Sequence, residues 1–228
     1  MNWLVSSIQA LWGNTDVEWK AKDAQGLAGG IWISWKVEKF KLTNCWMTNG
    51  VVGVEGEWRD IGKPNGVANI YSLYEVRGKV ELCNDLSQKV SNSNISPWCL
   101  IGDFNEVKDF SERKGSQPMS SSSSPRNNFL NIPLSGRKYT WSPLNGKCCN
   151  IIGRALVSDE WYNDWEGCNR LGLPKGSSDH CPIFLSQKVQ NWGPKPFRFF
   201  NAWLRNSELA TLVEDKRKEY EIIDLNLT

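Results

Sequence analysis

The chain has 228 residues, 40% hydrophobic and 23% charged, which is the composition of a folded domain with a sizeable core and excludes a disordered chain. Its 27 basic and 25 acidic residues leave a net charge of +2, so bulk positive charge does not hold it to nucleic acid. One histidine excludes a metal site built mainly on imidazole. Seven cysteines with no C-x-x-C spacing argue against a disulfide framework and a structural zinc site, and fit a reducing compartment. The 13 tryptophans are scattered, as core packing would place them.

Trp3, Leu4, Ile8, Leu11 and Trp12 recur at helical spacing, so the chain opens on a short amphipathic helix that Gly13-Asn14 ends. That segment lacks the basic start and cleavage site of a signal peptide. No run approaches the roughly 18 apolar residues of a membrane span. The expectation is a nuclear or cytoplasmic protein with no membrane partner and no small-molecule cofactor. The glycines at 26–30 make a turn before a strand over Ile31–Trp35. Short β-rich runs follow at Lys41–Met47, Val51–Trp58 and Gly66–Leu73, with Gly62-Lys63-Pro64-Asn65 as a turn between the last two. Val76, Val80, Leu82, Leu86 and Val90 space a helix over Glu75–Val90.

Trp98-Cys99-Leu100-Ile101 then reads as a buried strand whose end, Gly102-Asp103-Phe104-Asn105, is polar. Residues 115–128, with five consecutive serines, read as an exposed flexible loop. Further on, Ile151–Ser158 is expected as a strand, Asp159–Trp165 as a short helix and Cys181–Leu185 as a final buried strand. From Asn201 a helix turns highly charged at Glu214–Glu221. Strands mixed with occasional helices predict an α/β or α+β sandwich of two sheets.

Two clusters carry possible chemistry. In an extended chain Asp103 and Asn105 share one face, where a carboxylate and an amide can orient a water and hold an oxyanion. Taken alone, the motif reads more readily as a turn. In Ser177-Ser178-Asp179-His180, Asp179 offers a hard oxygen ligand suited to Mg²⁺, and His180 is the only histidine, the residue type whose unperturbed pKa lies near neutrality. Alone, it reads more readily as a loop histidine with a satisfied backbone bond. Together the clusters imply metal-assisted phosphate-ester hydrolysis, with an aspartate activating water for in-line attack.

W-C-L-I-G-D-F-N-E-V (98–107), S-E-R-K-G (111–115), G-R-K-Y-T-W (136–141), R-A-L-V-S-D-E-W (154–161) and S-D-H-C-P-I (178–183) stand in this order along the chain. They resemble the endonuclease/exonuclease/phosphatase superfamily, most of all the endonuclease domain of plant LINE-type (non-LTR) retrotransposon polyproteins. V-A-N-I-Y-S (67–72) resembles the strand bearing a phosphate-contacting tyrosine, and G-P-K-P-F-R-F-F-N-A-W-L (193–204) the segment leading toward the reverse transcriptase. The resemblance implies a four-layer α-β-β-α sandwich of two facing mixed sheets over 1–192, and a linker with a charged helix over 193–228. It implies a Mg²⁺-dependent nuclease that nicks DNA. In it Asp103 activates the water, Asn105 supports phosphate or water and Tyr71 contacts the phosphate. Asp179 helps bind the metal, and His180 hydrogen-bonds the scissile phosphate.

The chain also departs from that pattern. The family's first strand carries an active-site asparagine and its second a metal-binding glutamate, and this sequence starts after both. Gly153 stands where the family has the aspartate that orients the histidine. The helix expected after the serine-rich loop looks shortened. Losing one preorganised electrostatic group commonly costs roughly 10²–10³ in rate, so the expectation is a truncated, degenerate and inactive copy. Two other readings are an active enzyme completed by a missed upstream exon, and a residual nucleic-acid-binding module using Arg137, Lys138 and Lys147 beside Tyr139 and Trp141. Solvated turn charges beside core aromatics explain the second set as well.

Overall fold

The computed structural model describes residues 8, 10–13, 16–24, 30–115, 129–143 and 147–187, together with 208, 209, 211, 212, 214 and 215 near the end of the chain. Most of the opening helix, the serine-rich loop beyond Gly115, the 193–204 linker and most of the charged helix lie outside the described residues. The chain divides into two compact units, Met1–Val189 and Gln190–Thr228. In the first, Ile8 and residues 10–12 are helical with Ile8 buried, and Trp12 Nε1 donates to Ser34 Oγ at 2.9 Å.

β1 (Val17–Lys22) and β2 (Ile31–Lys36) pair as an antiparallel hairpin. β3 (Phe40–Thr48), β4 (Val51–Trp58) and β5 (Lys63–Tyr71) continue as an antiparallel meander. β5 takes in Lys63, Pro64 and Asn65, which the sequence assigns to a turn. Pro64 is tolerated because β6 (Trp98–Asp103) first pairs at Gly66, so the missing N–H costs no bond on that side. Helix α1 (Val76–Ser91) crosses from β5 to β6, which runs parallel to it.

Two-residue strands follow: β7 (Arg113–Lys114), β8 (Leu130–Asn131), β9 (Leu134–Ser135) and β10 (Cys149–Asn150). Then come β11 (Gly153–Val157), helix α2 (Asp159–Asp164), β12 (Asn169–Gly172) and β13 (Ile183–Ser186). Ser158 caps α2, its Oγ accepting from Trp161 N–H.

The main sheet is mixed, in the order β3-β4-β5-β6-β11-β8. A smaller mixed sheet, β13-β12-β9, has β12 parallel to β9 and antiparallel to β13. Strand alternation sends successive β6 side chains to opposite faces of the main sheet. Trp98 and Leu100 meet Leu82 and Leu86 of α1 on one face. On the other, Cys99 packs with Ala155, Val157 and Leu185 of β13, while Val54 and Val67 meet Trp35 of β2. The result is the expected α+β sandwich of two facing mixed sheets. The last strand is half-buried instead of buried and starts at Ile183: Pro182 O still accepts from Leu173 N–H in register, but Pro182 has no N–H to give, and Cys181 N–H donates to Thr140 O instead. None of the seven cysteines is in a disulfide. Among the described residues no helix is long and apolar enough to cross a membrane.

Candidate active site

The parallel pairing of β5 and β6 sets Tyr71 directly beside Asp103, so both sequence-selected residues end their strands at one edge of the main sheet. On its other side Asp103 pairs with Gly153 of β11. Gly102 allows this close approach. It has φ +147°, and a Cβ there would lie 2.1 Å from Ile70 O.

Asn105 does not continue the strand. Its φ is +47°, so Asp103 and Asn105 do not share a face in the way an extended chain would arrange them. Asp103 Oδ1 accepts from Asn105 N–H at 2.9 Å, an Asx turn, so the turn reading of this motif is realised within the site. Asn105 Nδ2 donates to Ser72 O at 2.7 Å, Ser72 N–H donates to Asp103 O, and Lys79 Nζ of α1 donates to Asn105 O at 2.7 Å. The ends of β5 and β6 and the first turns of α1 are thereby tied into one unit.

The second cluster reaches this unit through Thr140. Its Oγ1 accepts from the N–H groups of Ile152 and Gly153, and its carbonyl accepts from Cys181 N–H. Trp141 bridges to His180 in antiparallel fashion, and its indole N–H donates to Asp179 Oδ2 at 2.8 Å. Ser142 N–H donates to Asp179 O, and Lys175 Nζ donates to Ser142 Oγ. His180 then stands between the two aspartates. Its Nδ1 is 3.7 Å from Asp103 Oδ2, and its Nε2 is 3.9 Å from Asp179 Oδ1. Both separations exceed a hydrogen bond, so the imidazole faces two carboxylates without being locked by either.

The two aspartates titrate in opposite directions. Burial pushes Asp103 above the ordinary carboxylate range, against the pull of Asn105 N–H, His180 and Lys79. The Trp141 indole holds the exposed Asp179 below its ordinary value. One carboxyl is thus biased toward holding a proton and its neighbour toward charge, the separation that acid–base chemistry needs.

The fit to Mg²⁺ follows from the donors present. This ion demands near-octahedral oxygen ligation at roughly 2.0–2.1 Å. Asp103 Oδ1 is engaged by Asn105 and Asp179 Oδ2 by Trp141, while their other oxygens face the imidazole between them. Among the described residues no group of three or more His, Cys, Asp or Glu side chains is placed to hold a metal ion. Among the described residues, Asp103 and Asp179 stand on either side of the imidazole and are not arranged to share a resident Mg²⁺.

Tyr71, Asp103, Asn105, Asp179 and His180 therefore all lie at one rim of the double-sheet scaffold. Sequence reasoning missed Lys79, Ser72 and Thr140, and named Trp141 only beside the basic set. Lys79 carries no signal beyond a charge on a helix. Trp141 stands in the G-R-K-Y-T-W motif but cannot be told there from a core aromatic. Of the basic set, Lys138 lies over the Tyr139 ring at 5.6 Å.

No family model matches the chain, and no curated protein matches it in sequence. Solved structures do resemble it. The 3′ phosphatase NExo from Neisseria, solved with a product DNA hairpin, has a TM-score of 0.58 at 14% identity, over 80% of this chain and 82% of that one. An endonuclease/exonuclease/phosphatase family protein from Bacteroides thetaiotaomicron has a TM-score of 0.55 at 12% identity, over 79% and 78%. The mannosyl-6-phosphatase of the same species has a TM-score of 0.55 at 13% identity, over 80% of each chain. The chain has the fold of the endonuclease/exonuclease/phosphatase proteins.

Proposed function

We propose that this is a phosphodiesterase-type domain derived from the Mg²⁺-dependent DNA endonuclease of a plant LINE-type retrotransposon, and that it keeps the phosphate pocket without its hydrolytic power. The observation that carries this reading is the approach of His180 to Asp103 within 3.7 Å, two residues from strands far apart in sequence. In the ancestral roles Asp103 activates water, Asn105 and Tyr71 contact phosphate, Asp179 serves the cation and His180 meets the scissile phosphate. Here Gly153 has no side chain to orient the imidazole, which turns toward Asp103, the group that should act as base. With Asp103 and Asp179 on either side of the imidazole, the carboxylates offer no shared cation seat, so DNA binding outlasts cleavage in this reading. The test is a supercoiled-plasmid nicking assay with purified protein and Mg²⁺. No nicking is expected. Robust nicking that EDTA abolishes and His180→Ala removes overturns the loss of activity.

One observation favours a second reading, an active nuclease completed by a further polypeptide segment. An apolar cavity of about 720 Å³ lies over Val67 and Ile101, between Trp32–Trp35 of β2 and Pro182–Ile183 at the start of β13. Among the described residues β2 pairs only with β1 and β13 only with β12, so each has one open edge. A coding frame upstream of Met1 that contains a Gln-Glu-Thr strand supports this version, and a stop codon there defeats it.

A further inference from the structure

The loops leaving β5 and β6 carry more than the polar site. Tyr71 is 39% exposed, Tyr74 79% and Phe110 64%. Single exposed aromatics are ordinary on any protein surface. These three, however, leave the same sheet edge. Tyr71 pairs with Asp103, Tyr74 follows it into the start of α1, and Phe110 follows Asn105 into the short 3₁₀ turn at Phe110–Glu112. The bonds from Asn105 to Ser72 and from Lys79 to Asn105 hold the two loops together at that edge.

Lys79 supplies the charge. An ammonium group has three N–H donors, so its bond to Asn105 O still lets it meet a phosphate oxygen. A fixed cation at the same sheet edge as exposed, flat aromatic rings suits a nucleic-acid strand whose bases are unstacked: the rings take bases and the ammonium takes the backbone. A duplex offers its bases only inside the grooves and is gripped through many phosphates. The net charge of +2 gives little for that second mode. A small sugar phosphate needs an enclosed pocket, and exposed rings do not form one.

We propose that this rim binds single-stranded nucleic acid, with Lys79 on a backbone phosphate and Tyr74 and Phe110 stacking on unpaired bases. The proposal rests on the phosphate-pocket reading above, and it needs no divalent cation.

The test uses the full chain in EDTA at low salt. Fluorescence anisotropy follows a labelled oligothymidylate of about eight nucleotides, the span of a single-strand site, and the same strand annealed to its complement as the duplex probe. NMR of the His180 ring follows binding of inorganic phosphate and thymidine 5′-phosphate. Tyr74→Ala and Phe110→Ala are expected to weaken oligonucleotide binding roughly 5- to 150-fold each, the range of one base–aromatic stack. Both should leave inorganic phosphate binding unchanged. Lys79→Gln is expected to weaken both ligands and lower the salt slope by about 0.7. Tyr162→Ala, an exposed aromatic on α2, is the control and should change nothing. Phosphate binding with no effect of the Tyr74 and Phe110 variants, or equal affinity for duplex and single strand, overturns this proposal and leaves the pocket reading standing. No phosphate binding by any probe removes both.

Discussion

The two walls of the candidate site, one around Asp103 and one around Asp179 and His180, are built in different ways. The Asp103 side is half-buried, parallel-paired and closed by four hydrogen bonds among Ser72, Lys79, Asp103 and Asn105. The Asp179–His180 wall is an exposed loop held by Thr140 and Trp141. Carboxylates of identical chemistry therefore titrate in opposite directions across a few ångströms. The difference teaches that the scaffold, more than the choice of residue, sets which carboxyl is pushed above its ordinary range and which is held below it. It also means that damage on the first wall reaches the whole fold, while damage on the second stays local.

The sharpest way to break this contrast is a pair of glycine substitutions at adjacent positions of the β6–β11 ladder. Gly102→Ala places a Cβ against Ile70 O at 2.1 Å in a backbone that alanine disfavours. It is expected to cost about 3 kcal/mol or more, a fall in Tm of roughly 10 °C for a domain this size. Gly153→Ala meets the Thr140 side chain at 3.4 Å and Ile183 Cγ2 at 3.6 Å, ordinary van der Waals contacts, and is expected to fall within about 0.5 kcal/mol of the parent. Thermal unfolding followed by circular dichroism compares the two, and equal losses would refute the difference between the walls.

Next in size is the pH response of the half-buried Asp103. Its pKa is raised in the folded state, so the folded protein binds that proton more tightly than the unfolded chain does. Its contribution to stability is therefore most favourable at low pH and declines as pH rises through the raised pKa. Asp103→Asn is expected to melt above the parent at pH 7, with the advantage shrinking toward pH 4. An advantage that grows on acidification would mean that its partners outweigh burial. The smallest effect belongs to the open wall. Trp141→Phe removes the indole donor, so the Asp179 pKa should rise toward its ordinary value in a carbon-detected carboxyl titration while Tm barely moves.

Much of this architecture was legible in the residues. The Val51–Trp58 strand, the α1 helix and the Trp98 strand follow directly from apolar spacing, and the ordered motifs pointed to the two clusters that meet at His180. β1 was missed, although Val17, Trp19 and Ala21 alternate with charged residues, because six residues of alternation are a weak signal beside a glycine-rich turn. The turn assigned to Lys63–Asn65 failed because proline preference is local, whereas a strand's register depends on neighbours distant in sequence. The shared-face argument for Asn105 failed because its left-handed backbone follows from bonds to Asp103, Ser72 and Lys79, which no spacing rule contains.

The order β5-β6-β11 has a consequence for biosynthesis. β6 is translated well before β11, which starts at Gly153 and covers its second edge. At roughly 5–20 residues per second, the Trp98–Asp103 backbone waits on the ribosome for on the order of several seconds with that side unsatisfied. During that interval the apolar W-C-L-I run is a template for association with other nascent chains, so yield in a cell should respond to translation speed and to chaperone supply before it responds to any property of the finished pocket.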